Sequence, residues 1–111
     1  MGVAYYLVLL ARAIAQNTPI IFLDEPTFVL DFRNQLLVFK ILCDMAENGK
    51  LVVVCMHDSN HVKWFCKNVL ILKDGNVLHQ GRVEQVFTQE CLKGLYGNVC
   101  RMEKHMILPI M

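Results

Sequence analysis

Two short runs of branched apolar residues set the limits on what this chain can fold into. Ile20-Ile21-Phe22-Leu23 and Leu51-Val52-Val53-Val54-Cys55-Met56 are each long enough for one strand, and neither alternates with polar residues. Continuous apolar runs of that length belong to strands covered on both faces, as in parallel sheets. Between them, Phe32 to Asn48 is long enough for several helical turns. Phe32, Leu36, Phe39, Cys43 and Ala46 recur there at spacings of three or four, which predicts one apolar stripe. Gly49 follows as a residue that ends helices. Strand, helix and strand in this order predict two parallel strands joined by a right-handed crossover.

Composition narrows the class further. With 111 residues the chain holds at most one ordinary domain. Hydrophobic residues make up 55% and charged residues 19%, which excludes a disordered chain and predicts a largely buried sheet. The net charge is +1, with 11 basic and 10 acidic residues mixed along the chain, so no basic face points to nucleic acid. The longest apolar stretch, Val3 to Ala11, is broken by Arg12. It falls short of the roughly 18 residues of a membrane span, and no basic segment precedes it as in a signal peptide. Five cysteines (Cys43, Cys55, Cys66, Cys91, Cys100) form no Cys-x-x-Cys pair. An odd, unpaired set predicts reduced, mostly buried thiols in a cytosolic protein.

The remaining segments continue the alternation. Tyr5 to Gln16 is rich in helix formers, and Asn17-Thr18-Pro19 breaks it. Asp58 is placed to cap a helix over Ser59 to Lys67, with Trp64 and Phe65 expected to pack it onto the sheet. Val69 to Lys73 and Asn76 to Gln80 flank Asp74-Gly75, a hairpin signal, and Gly81 is expected to end the hairpin. Val83 to Phe87 and Gln89 to Tyr96 read as short helices, the second capped by Thr88. Val99 to Met111 is expected to add one irregular strand.

The chemistry-bearing residues collect where the two parallel strands end. Open parallel sheets bind ligands at the carboxyl ends of their strands. The first run ends in Asp24-Glu25-Pro26 and the second in His57-Asp58, so neighbouring strands would bring two carboxylates and an imidazole to one rim. A carboxylate can hold Mg²⁺, a second can orient an attacking water, and an imidazole can donate to a phosphate as charge develops. Simpler roles compete. The acidic pair can be a plain strand-to-loop boundary, His57 a structural hydrogen-bonder, and Asp31 the cap of the helix beginning at Phe32. His57 and His61 are four apart, but a zinc helix needs Glu after the first His, and Asp58 stands there. Met102, Met106 and Met111 offer soft-metal ligands or, more simply, belong to a flexible, partly packed tail.

In order and spacing, these residues resemble an ABC-transporter ATPase. Ile20 to Thr27 (IIFLDEPT) is similar to the Walker B segment, and Val29-Leu30-Asp31 to the end of the D-loop. Leu51 to Met56 with His57-Asp58 resembles the strand and switch histidine of the H-loop. Leu10 to Ala13 resembles the helix after the signature motif. Val69 to Tyr96 is similar to the end of ATPases serving iron-siderophore, haem and cobalamin importers. The resemblance implies a partial P-loop NTPase (ABC ATPase) fold of the α/β class: parallel strands with a crossover helix, then a β-hairpin and short C-terminal helices. It implies ATP and Mg²⁺ as ligands. Asp24 would hold the Mg²⁺ shell through water, Glu25 would polarise the hydrolytic water, His57 would contact the γ-phosphate, and Asp31 would reach across a dimer interface. The implied partners are a second ATPase subunit and a membrane permease, with the chain cytoplasmic and peripheral on the inner face of the cell membrane, not inserted in it. The implied activity couples ATP hydrolysis to uptake of an iron chelate, haem or cobalamin.

Two departures accompany the resemblance. Phe28 stands where the family carries Ser or another small residue. No Gly-x-x-x-x-Gly-Lys-Ser/Thr occurs in the sequence; that loop supplies the backbone cradle and lysine that grip a triphosphate. Met1 to Tyr6 occupies the place of the signature motif, where only Gly2 fits. Residues 1–111 are therefore expected to be the C-terminal portion of one ATPase domain: a truncated product, a fragment or a split domain, inactive alone. The alternative is a non-catalytic module that pairs with an intact ATPase domain or a permease.

Overall fold

The computed structural model describes residues 3–96, 100–103 and 106–109, with side chains described for 4–88 and 90–95. The chain divides into two compact units, Met1–His57 and Asp58–Met111.

The first unit begins with helix α1, Val3–Ala15. Asn17 follows with φ 52, a left-handed conformation that Asn tolerates better than most residues. Strand β1, Ile20–Asp24, leads through a short loop to helix α2, Phe32–Glu47, and strand β2, Leu51–Cys55. The strands pair in parallel, from Ile20 opposite Leu51 to Asp24 opposite Cys55. The start of β2 is anchored beside β1: Lys50 Nζ donates to Asn17 Oδ1 at 2.6 Å and to the Thr18 carbonyl at 3.0 Å. Gly49, with φ 92, ends α2 as its sequence position predicts.

Burial in this unit is one-sided, which corrects the expectation of strands covered on both faces. Leu23, Val52 and Val54 pack on the core of Leu10, Leu30, Val38 and Leu42. The alternate residues lie open, with Ile20 49%, Phe22 74% and Leu51 56% exposed. A sheet with helices on one face buries only every second side chain. The stripe on α2 also differs. Val38, Phe39 and Leu42 are buried, whereas Phe32, Leu36 and Ala46 are exposed and Cys43 is half-buried. Leu36, Leu37, Val38, Phe39, Ile41 and Leu42 surround the helix, so spacing alone does not choose the face.

The second unit opens with α3, Ser59–Phe65, capped as expected: Asp58 Oδ1 accepts from the Asn60 N–H at 2.9 Å. Val62 and Cys66 pack this helix on the core of Ile71, Val83, Phe87 and Cys91. Trp64, expected in that role, is 39% exposed, and Phe65 meets it edge-on at 6.3 Å. The expected hairpin is present as β3, Asn68–Lys73, and β4, Asn76–Arg82, in antiparallel register. Asp74 and Gly75 both take positive φ, as a tight hairpin turn requires. The register shifts between Ile71 and Leu72, a β-bulge. Gly81 does not end the hairpin; it pairs with Val69 inside β4. Its φ is 145, and a Cβ there would meet Val86 Cγ2 at 3.2 Å. Helices α4, Val83–Val86, and α5, Gln89–Tyr96, follow, and Thr88 Oγ1 accepts from the Cys91 N–H at 3.1 Å. The tail forms two antiparallel strands rather than one: β5, Cys100–Glu103, and β6, Met106–Pro109.

Among the described residues no disulfide forms, and the thiols are less buried than expected. Cys91 is buried, Cys43 and Cys66 are half-buried, and Cys55 is exposed. The Cys100 side chain, Met1, Gly2 and Met111 lie outside the described residues.

Candidate phosphate-chemistry site at the strand ends

Parallel pairing fixes the position of the site. Because Asp24 lies opposite Cys55, the residues that follow each strand leave the sheet at the same rim. The Glu25 N–H donates to the Cys55 carbonyl at 2.8 Å, extending the ladder by one bond. His57 then reaches back across the gap, and its Nε2 lies 2.5 Å from Glu25 Oε1. Of the two carboxylates and the imidazole expected at one rim, Glu25 and His57 are in contact, while Asp24 ends β1 outside that pair.

Glu25 is held in a demanding conformation. Its φ of 47 is unusual for a residue with a side chain, and such backbone costs of order 1–3 kcal/mol. The Glu25 carbonyl holds the turn: the Phe28 N–H donates to it at 3.2 Å, and the Tyr6 hydroxyl makes a long contact with it at 3.5 Å. Burial pushes the Tyr6 phenol above its usual range. Glu25 Oε1 is shielded from solvent, and among the described residues its neighbour is His57 Nε2. That contact is a hydrogen bond when Nε2 carries a proton. The His57 side chain is 93% exposed, open to whatever approaches the rim.

The other expected residues hold distinct places. Asp24 ends β1 with its side chain exposed. Asp31 does not join the rim cluster. It is the N-cap of α2, its Oδ1 accepting from the Asn34 N–H at 3.0 Å. Between them, Pro26, Thr27 and Leu30 are buried, while Phe28 and Val29 are 79% and 49% exposed. Gln35, unremarked in the sequence, shapes this loop: its Nε2 donates to the Leu30 carbonyl at 3.1 Å and the Thr27 carbonyl at 3.4 Å. The signal was a polar residue three positions before Val38 and seven before Leu42, on the buried side of α2. His61 lies 3.6 Å from Asp58 Oδ2 and 5.8 Å from the Trp64 ring centre. Among the described residues no group of three or more His, Cys, Asp or Glu is placed to hold a metal, and no helix is long and apolar enough to cross a membrane.

A parallel strand pair with its crossover helix, carrying acid and imidazole at the carboxyl ends, is the arrangement of an α/β domain that binds its ligand at the strand ends. Comparison with known proteins makes the class specific. No family model matches the chain. Among curated proteins, the manganese transport system ATP-binding protein MntB of Listeria innocua is 40% identical over 91 residues, covering 82% of this chain and 38% of MntB. The hemin import ATP-binding protein HmuV of Streptomyces coelicolor is 36% identical over 98 residues, covering 88% and 35%. The iron(3+)-hydroxamate import ATP-binding protein FhuC of Bacillus subtilis is 36% identical over 88 residues, covering 78% and 33%. Among solved structures, a metal-chelate type ABC transporter in an inward-facing conformation superposes with TM-score 0.78 at 31% identity, covering 96% of this chain and 45% of that one. The ATP-binding cassette MJ0796, a dimer bound to ADP and Pi, gives TM-score 0.65 at 38% identity over 70% of this chain and 34% of its own. The chain belongs to the ABC-transporter ATP-binding proteins. It spans well under half the length of the relatives it matches.

Proposed function

We propose that residues 1–111 are the C-terminal portion of one ABC ATPase domain, contributing the hydrolytic rim of an importer that takes up an iron chelate, haem or cobalamin. The observation that carries this reading is the Glu25–His57 contact at the carboxyl ends of β1 and β2. Glu25 polarises the attacking water, which needs a carboxylate held in place; its backbone turn and shielded Oε1 supply that. His57, largely exposed, donates to the γ-phosphate. Asp24 presents an exposed carboxylate, the donor that a hard cation prefers, and holds the Mg²⁺ shell through water. When bound, that ion neutralises phosphate charge. Asp31 reaches across the interface with a second ATPase subunit. The permease is the membrane partner, and the chain is peripheral on the cytoplasmic side.

The open side of β1–β2 supports the reading as one part of a larger sheet, since exposed Ile20, Phe22 and Leu51 favour further cover. The same face favours a second reading, a non-catalytic module that docks on an intact ATPase domain or permease. A chimera separates them. Replacing the matching span of the Bacillus subtilis hydroxamate importer's ATPase with this chain restores a P-loop from outside. The chimera is expected to hydrolyse Mg-ATP, whereas this chain alone is expected to bind none at micromolar concentration. A folded chimera that binds ATP without turnover would overturn the catalytic reading and leave the docking one.

A further inference from the structure

Helix α2 carries an apolar strip on the side turned away from its core. Phe32, Leu36, Leu37 and Ile41 are 62%, 38%, 56% and 37% exposed. Phe32, Leu36 and Leu37, with Arg33 and Lys40, line a shallow depression of ≈ 420 Å³. Arg33, Lys40 and Asp44 are exposed, and among the described residues none of them forms an ion pair.

The order of charges along this strip selects its occupant. Positions 33, 37, 40 and 44 are spaced by four, three and four, which keeps them on one line of the helix. Arg33 stands at one end and Asp44 at the other, with Leu37 and the Lys40 stem between them. A second α2 laid antiparallel, centred between Leu37 and Lys40, sets each Arg33 against the Asp44 of the other copy. Leu36 and Ile41 flank this line on opposite sides, each beside its own counterpart in the second copy, and Leu37 lies along the Lys40 stem of the second copy. A parallel pair would stack Arg33 on Arg33 and Asp44 on Asp44, so charge complementarity favours the antiparallel one.

We infer that α2 is a self-association face, pairing two copies of this chain antiparallel through Arg33, Leu36, Leu37, Lys40, Ile41 and Asp44. The arrangement is isologous, so it closes at two copies. A lipid surface fits less well, because Asp44 puts an anion on the strip that would face the headgroups. One helix pair buries less than the roughly 1,200 Å² at which standard interfaces begin, so the dimer is weak and reversible. It needs no nucleotide, which separates it from the Asp31-mediated pairing proposed above.

Sedimentation equilibrium of the full chain without nucleotide, over a micromolar dilution series, tests the inference. A reversible dimer is expected. Arg33→Glu and Asp44→Arg should each weaken it about tenfold, because each puts like charges opposite one another. The double variant Arg33→Glu/Asp44→Arg should restore it. If a single variant loses helical circular dichroism, the restored dimer of the double variant carries the test. A monomer throughout, single variants without effect, or a double variant no tighter than the singles would each overturn the pairing. So would a monomer that floats with phosphatidylglycerol vesicles, which would assign the strip to a lipid surface.

Discussion

Glu25 and His57 come from different strands and meet at 2.5 Å beyond the carboxyl end of the parallel pair. The contact exists because β1 and β2 run in the same direction and in matched register. It places an acid in a left-handed turn against an imidazole that solvent can reach.

That turn predicts a trade between stability and chemistry. Glu25→Gly removes the Cβ from a positive-φ position and gives up only a contact to a largely exposed imidazole. Urea denaturation is expected to show a gain of about 1 kcal/mol, since left-handed backbone costs a side-chain residue roughly 1–2 kcal/mol. A lower midpoint would contradict the strain assigned to Glu25.

Asp31 predicts a smaller loss of a different kind. Asp31→Ala removes the acceptor for the Asn34 N–H and should cost about 1 kcal/mol. Asp31→Asn should retain most of that stability, because Asn caps comparably well. Equal losses for both variants in urea titrations would rule out capping as the stabilising role.

The two sides of α2 should respond differently. Leu42, 4% exposed, sits in the core, and Leu42→Ala should cost roughly 2–5 kcal/mol. Leu37→Ala, measured in dilute solution where copies do not pair, should change stability by less than about 0.5 kcal/mol. Comparable losses would mean that the buried face is assigned wrongly.

Cys91 predicts a pH dependence. Burial pushes its thiol above the ordinary value of 9.0. The unfolded chain therefore releases this proton at lower pH than the folded one. Stability is intact below pH 9.0 and falls as pH rises above it, because the folded state then binds more protons. Cys91→Ala should flatten that alkaline limb. In the native chain a thiol reagent should label exposed Cys55 before Cys91. Cys91 reacting first would contradict its burial.

The parts of the fold legible in the sequence were those set by local chemistry. Asp74-Gly75 specified its turn, Asp58 and Thr88 their caps, and Gly49 the end of α2. The two branched runs specified parallel strands, and that pairing alone brought Glu25 to His57. Tertiary choices were less legible. The α2 stripe was placed on Phe32, Leu36, Phe39, Cys43 and Ala46; Phe39 is buried as expected, but apolar residues surround the helix, and packing against Leu10 and Leu30 selected Val38 and Leu42 in place of Phe32, Leu36 and Ala46. An apolar strand reads the same whether one face or two are covered, so Phe22 carried no sign of its exposure. Gln35 was missed because its partners, the Thr27 and Leu30 carbonyls, are backbone groups that no side-chain pattern reveals.

The joint action of Glu25 and His57 is tested most directly by a double-mutant cycle on ATP turnover in the chimera. Glu25→Gln and His57→Ala should each slow hydrolysis by about 10²-fold or more. If the two groups act as a unit, the double variant should be no slower than the worse single by more than about twofold. Losses that multiply, or either single variant at full turnover, would contradict a shared role.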